Sequence, residues 1–258
     1  MATPNDGFMD FTLDGGDENV GKKTGRFQAK DNTTYRATFV WFSVPVKNDK
    51  GEITGWNDDA AFNKDGTLSP EANIRFTGCE RIYLKGVGYF LYKGPAYSQF
   101  GKPRQSVAAV ICVWPTNDEG ELDVAKYKAG KGHAVMPWIF SPDKYKDIKA
   151  KHKRFSLIRH DLSMACPANG AEYQKLSFTP EGENLLAKLM ASEKPEYKEI
   201  VGRILADAKG VIDSIHSDMA RDLSIEKIKE LASGTTSSPS SSSGHASKDV
   251  DQLLDDVL

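Results

Sequence analysis

From Tyr35 the chain turns dense in aromatic and β-branched residues. Tyr35-Arg-Ala-Thr-Phe-Val-Trp-Phe-Ser-Val44 predicts a strand, ended or pushed to a sheet edge at Pro45. Residues 47–73 are rich in Asn, Asp and Gly and read as loop. Asn73–Lys85 and Gly88–Tyr92 predict two strands joined near Gly86. Ser106–Trp114 is a short, continuous, β-branched apolar run closed by Pro115, the pattern of a buried strand. Residues 116–132 read as loop and His133–Phe140 as strand. Ser141-Pro142-Asp143 is a helix start, with a capping hydroxyl, a first-turn proline and an early carboxylate, and its helix should run to about Lys151. Phe155–Met164 and Tyr173–Phe178 predict a strand pair joined through Pro167-Ala-Asn-Gly170.

After Thr179-Pro180-Glu181, a second start signal, the period becomes helical. Leu185, Leu186 and Leu189 form one apolar stripe, and Ile200, Ile204, Ala208, Val211, Ile212 and Ile215 another. Ser224 should cap a third helix with Ile225, Ile228 and Leu231 inward. The pattern thus gives a β core of about seven strands followed by a helical part, an α+β class. Ser-dominated residues 234–248 lack the apolar content to fold and read as a flexible linker.

Charge changes this picture. The net charge of −2 hides segregation. Residues 1–20 carry Asp6, Asp10, Asp14, Asp17 and Glu18 with no Lys or Arg, and read as a flexible acidic segment. The densest basic run lies between Lys144 and Arg154. The last ten residues alternate Asp249, Asp251, Asp255 and Asp256 with Val250, Leu253, Leu254, Val257 and Leu258. Such a tip can set apolar anchors into a groove while its carboxylates pair with a basic rim, either on a partner or on the chain's own basic surface.

A strand-rich core, a Ser/Gly-rich linker and the tip Asp249-Val-Asp-Gln-Leu-Leu-Asp-Asp-Val-Leu258 together resemble single-stranded-DNA-binding proteins of bacteria and especially of bacteriophages. The tip lacks the Pro-Phe ending usual in bacterial members, so the likeness is to the phage type. It covers ten residues at the tail; in the core it is one of architecture, without a diagnostic motif. The resemblance implies an OB-like β-barrel core with a helical C-terminal region and a disordered acidic tail. In those terms residues 21–179 are the nucleic-acid-binding core, 180–233 the helical region and 249–258 the partner-binding tip.

Single strands are held by stacking bases on rings beside Lys and Arg. Rings and cations interleave in three places: Arg26-Phe27 with Arg36 and Trp41; Arg75-Phe76 through Tyr83 and Lys85 to Tyr89, Tyr92 and Lys93; and the loop carrying Tyr97, Phe100, Lys102 and Arg104. Two rings and two cations in one loop should not all be buried. Trp41, Phe76 and Phe90 read as core more readily than as contacts. Lys151, Lys153 and Arg154 join the candidates because Phe155 and Arg159 lie beside them.

Catalysis finds little here. No Gly-x-Ser-x-Gly elbow, P-loop or dinucleotide fingerprint occurs. His160-Asp161 reads as a buried histidine and a surface aspartate, because adjacent strand residues face opposite sides. Asp58, Asp59 and Glu80 have no spacing that marks a nuclease. There is no Cys-x-x-Cys or His-x-x-x-His, so neither metal nor cofactor is expected. Cys79, Cys112 and Cys166 are too few and too spread for a disulfide framework, which suits a reducing cytoplasm, a host's if the chain is phage-encoded. No signal-peptide apolar region opens the sequence, and no run nears the roughly 18 apolar residues of a membrane span.

The expectation is a non-enzymatic protein that coats single-stranded DNA during replication, recombination and repair. Its tail would recruit replication or recombination proteins, and self-association on DNA would give cooperative coating. The alternative is a replication- or transcription-associated adaptor without strong DNA binding of its own.

Overall fold

A computed structural model of the chain describes residues 25–117, 121–171 and 174–233. The first strand, β1 (Thr33–Phe39), is followed by β2 (Phe42–Lys47), β3 (Ile53–Asn57) and β4 (Asn73–Ile74). Pro45 does not end the run. It sits inside β2 opposite Trp56 of β3, beyond Phe42 and Ser43, the residues that pair with β4. There its missing N–H breaks no ladder bond on the β4 side. The stretch read as loop, 47–73, thus holds β3 and begins β4, and β3-β2-β4 form a separate three-stranded sheet.

β5 (Thr77–Leu84) and β6 (Gly88–Leu91) make a hairpin; β7 (Arg104–Trp114) is the buried strand the apolar run predicted. Helix α1 (Val124–Lys128), capped by Asp123, lies in the second stretch read as loop. β8 (Ala134–Phe140) and α2 (Pro142–Phe155) follow. Ser141 caps α2 as its sequence implies, but the helix runs past Lys151 to Phe155 and stops where Ser156 turns left-handed. β9 (Asp161–Cys166) and β10 (Ser177–Glu181) pair antiparallel. Thr179-Pro180-Glu181 therefore belongs to a strand; the helix signal is Asn184, which caps α3 (Leu185–Met190). α4 (Pro195–Met219) and α5 (Ile225–Ser233) complete the described chain, with Ser224 Oγ accepting from the Lys227 N–H at 3.2 Å.

The main sheet is antiparallel, in the order β10-β9-β1-β7-β5-β6, with β8 also on β7. Residues 111–113 of β7 pair with both β1 and β8, and residues 107 and 108 with both β5 and β8. β1 and β5 therefore share one edge of β7, and β8 holds the other. The sheet does not close. The outer edge of β6 meets Arg221, not β10: the Arg221 N–H donates to the Tyr89 carbonyl at 3.1 Å, and the Arg221 carbonyl accepts from Leu91 at 3.0 Å.

Helix packing explains why the main sheet stays open instead of closing into the expected OB-like barrel. A barrel strand buries one face in a shared interior and leaves the other outside. Here Val107 through Cys112 are buried without a break, so both faces of β7 are covered. One face carries Phe39, Ile111, Trp138 and Phe178, with α2 above it through Ile148 and Tyr145. The other is covered by α4, through Ile204, Ala208, Val211 and Ile215, and by α3. Helices α3 and α4 thus share the main core with the sheet. A second, smaller core joins Ile82, Val87, Phe90 and Tyr97 to Ile228 of α5.

A polar network ties the layers together. Asp161 is fully buried and accepts from Arg36 Nε at 2.9 Å, from the Thr38 hydroxyl and from the Leu185 N–H at 3.1 Å. The Trp114 indole donates to Thr38 Oγ1 at 2.6 Å. Burial pushes the Asp161 carboxyl up to about 6 against the pull of these donors. The pair His160-Asp161 is thus the reverse of its sequence reading, with the aspartate inside and the histidine half-exposed, its Nδ1 at 2.6 Å from the Gly182 carbonyl.

Candidate nucleic-acid interface

The strand pattern dictates where the hairpin's side chains go. Directly opposed residues of an antiparallel pair share a face. Ile82 and Phe90 are opposed and point into the small core beneath α5. Tyr83 and Tyr89 are opposed on the other face. Tyr83 is the most exposed of the large apolar and aromatic side chains described, at 60%. Its ring lies 5.0 Å from that of Tyr89, and the Arg81 guanidinium sits 3.9 Å over the Tyr89 ring. Arg81 is opposed in turn to Arg104 at the start of β7. Arg104 is exposed, and no described residue gives its guanidinium a hydrogen bond, ion pair or ring contact. Lys85 at the hairpin tip and Lys102, two residues before Arg104, are exposed and similarly uncommitted.

Tyr83, Tyr89 and Arg104 thus share one strand face, with Tyr83 exposed and Tyr89 half-buried, and Lys85 and Lys102 are exposed just beyond the paired ends of β5 and β7. The residue that composition reading missed is Arg81. Its signal was its register, two positions before Tyr83 on the same strand face.

The other candidates lie elsewhere. Tyr97 is 8% exposed, donating its hydroxyl to the Leu223 carbonyl at 3.0 Å, and Phe100 packs edge-on against Phe90 at 5.9 Å. Both rings of that loop are committed to the small core; only its cations are outside. Tyr92 is half-buried against the same core, its hydroxyl 3.5 Å from Ser98 Oγ, and Lys93 is ion-paired with Asp222. Arg36 serves Asp161.

Trp41 is buried, its indole N–H bonded to Asp58 at 2.9 Å, so Asp58 is a staple for the small sheet and holds the Ser43 hydroxyl as well. Arg75 lies between Trp41 and Trp56, at 5.7 and 5.1 Å from their rings, and donates to the Phe76 carbonyl at 2.7 Å.

On α2, Lys151 lies 4.1 Å over the Phe178 ring and pairs with Asp147. Lys144 reaches the Leu176 carbonyl, and burial lowers its pKa. The end of that helix, Lys153 and Arg154 with Phe155, is open to solvent, and Arg154 stacks on Phe155 at 4.9 Å. The tip residues Asp249, Asp251, Leu253, Leu254, Asp255, Asp256, Val257 and Leu258 lie outside the described residues.

Among the described residues no group of three or more His, Cys, Asp or Glu side chains is placed to hold a metal, and no helix is long and apolar enough to cross a membrane. Cys79, Cys112 and Cys166 are buried free thiols. Compared with known proteins, the chain matches no protein-family profile, no curated protein and no solved structure.

Proposed function

We propose that this chain binds single-stranded DNA on the outer face of the β5–β6 hairpin, coats it during replication, recombination and repair, and recruits partner proteins through its acidic C-terminal tip. The observation that carries the reading is Tyr83. A ring 60% exposed, backed at 5.0 Å by a second ring, offers an open π-face with uncommitted cations nearby. It has the make-up of a base-stacking platform, where rings take bases and Lys or Arg take phosphates. The reading needs no closed OB-like barrel, because stacking on an open sheet uses the same two ingredients. The tip supports recruitment through its composition: four carboxylates interleaved with Val and Leu suit a shallow apolar groove with a basic rim.

The platform is tested by anisotropy of a fluorescent oligo-dT with the wild type, Tyr83→Ala and Tyr83→Phe. Tyr83→Ala should lose about 1–3 kcal/mol of binding, and Tyr83→Phe, which keeps the π-face, should stay near wild type. Equal affinity of all three proteins would remove the hairpin face from the interface.

A further inference from the structure

Two features of Arg81 are unfavourable in the free protein. It is 9% exposed, and its Nε has no hydrogen-bond partner. Its Nη1 donates to the Met219 carbonyl at the end of α4, at 2.6 Å. That bond caps the helix and offsets part of the charge through the α4 dipole. No described carboxylate lies within ion-pair reach of the guanidinium. Burial, with Arg26 as a further positive charge, holds its pKa below the usual arginine range. A buried cation without a counter-charge is costly, and an apolar side chain of similar size would be cheaper at such a position. Independently, Arg81 is directly opposed to Arg104 across β5 and β7, which puts two cations at one register position. Arg104 has no described partner. The side chains available to neutralise the pair look elsewhere: Glu80 is on the opposite face by alternation, and Asp222 is held by Lys93.

An anion seated on the pair would supply the counter-charge that Arg81 and Arg104 lack. Its chemical class follows from its surroundings. The Tyr89 ring covers Arg81 at 3.9 Å, and Tyr83, the exposed ring, continues from it. A ligand that offers a negative charge beside a flat aromatic group fits this face, and a nucleotide strand does so at every residue. We propose that Arg81 and Arg104 form an anion site that takes a phosphodiester of the strand whose base stacks on Tyr83. This rests on the reading of the hairpin face as the single-strand interface. It adds that part of the affinity comes from giving a counter-charge to a buried cation built into the sheet.

The test uses full-length protein and two probes. The first is inorganic phosphate, against sodium chloride at equal ionic strength, read by thermal unfolding. Phosphate should raise the midpoint of the wild type more than chloride does, and should lose that advantage in Arg104→Gln and in Arg81→Met. The second is oligo-dT affinity against salt, where each substitution should flatten the log–log slope by about one contact. Arg104 is exposed, so Arg104→Gln keeps the test alive if Arg81→Met fails to fold. Equal phosphate stabilisation in wild type and Arg104→Gln, with unchanged salt slopes, overturns the anion site even if oligo-dT binds tightly. A phosphate effect lost in the variants, in a protein that ignores oligo-dT, supports the anion site and sinks the single-strand reading instead.

Discussion

At the residue scale, Tyr83 and Tyr97 show how context divides identical side chains. Both stand among cations in the sequence, and both are candidates to stack bases. Tyr83 is on the open face of a two-stranded hairpin, and alternation alone puts it opposite Ile82, a core residue. Tyr97 is covered by a segment 126 residues further along, which no local pattern could reveal. Their truncations should therefore separate. Tyr83→Ala should leave the unfolding midpoint within about 0.5 kcal/mol of wild type while weakening DNA binding. Tyr97→Ala should cost stability, about 3–5 kcal/mol by the precedent of large buried rings. Denaturant titration of both variants checks this, and the reverse order would contradict the burial seen here.

Asp161 makes a pH prediction at the same scale. Its folded pKa of about 6 lies above the ordinary value of about 3.9, so the folded state binds its proton more tightly than the unfolded chain. This contribution is fully present below about pH 4 and is lost as pH rises through about 6, on the order of 3 kcal/mol in total. Comparing the denaturant midpoints of wild type and Asp161→Asn from pH 4 to 7 isolates it. The wild type should lose stability relative to the variant across that window. Parallel profiles would show that Asp161 keeps an ordinary pKa.

At the element scale, capping chemistry and apolar runs were legible, and short elements were not. Ser141 and Ser224 start helices where their side chains say, and β7 is the continuous apolar run. β3 and α1 are five residues each, too short for a period to stand out beside their Asn, Asp and Gly neighbours. Thr179-Pro180-Glu181 carries a helix-start composition but pairs with Ser163, Leu162 and Asp161. Pairing across β9 outweighs that local preference.

Helix α1 also explains one glycine. Gly130 follows it with φ +64°, and a Cβ there would lie 2.5 Å from Ile200 of α4. Gly130→Ala should therefore lower stability by about 1–3 kcal/mol, through backbone strain and overpacking against α4. A neutral alanine in thermal unfolding would mean that α1 does not rest on α4 as described. Ile228, fully buried, is the only fully buried side chain of α5. Ile228→Ala should weaken the small core by about 2–5 kcal/mol. Hydrogen exchange should speed first in β6 and around Tyr97, with β7 and β8 still protected.

At the scale of the whole molecule, composition showed charge segregation and a β core with later helices, an α+β chain. It did not show that the helices cover both faces of the main sheet, which is what keeps that sheet open. The candidate interface was legible in its residue types but not in its grouping. Tyr83, Lys85, Tyr89, Lys102 and Arg104 stand out by type, but only the pairing of β5 with β6 and β7 puts Tyr83, Tyr89 and Arg104 on one face and adds Arg81. The acid-rich ends and the cations near the hairpin also reconcile a net charge of −2 with the proposed local site for a polyanion.

The most direct measurement is fluorescence anisotropy of labelled oligo-dT with the full-length protein, beside a duplex of the same length, at two salt concentrations. The account predicts saturable binding to the single strand, much weaker binding to the duplex, and an affinity that falls steeply as salt rises. No binding to the single strand, or equal binding to both forms, would contradict it.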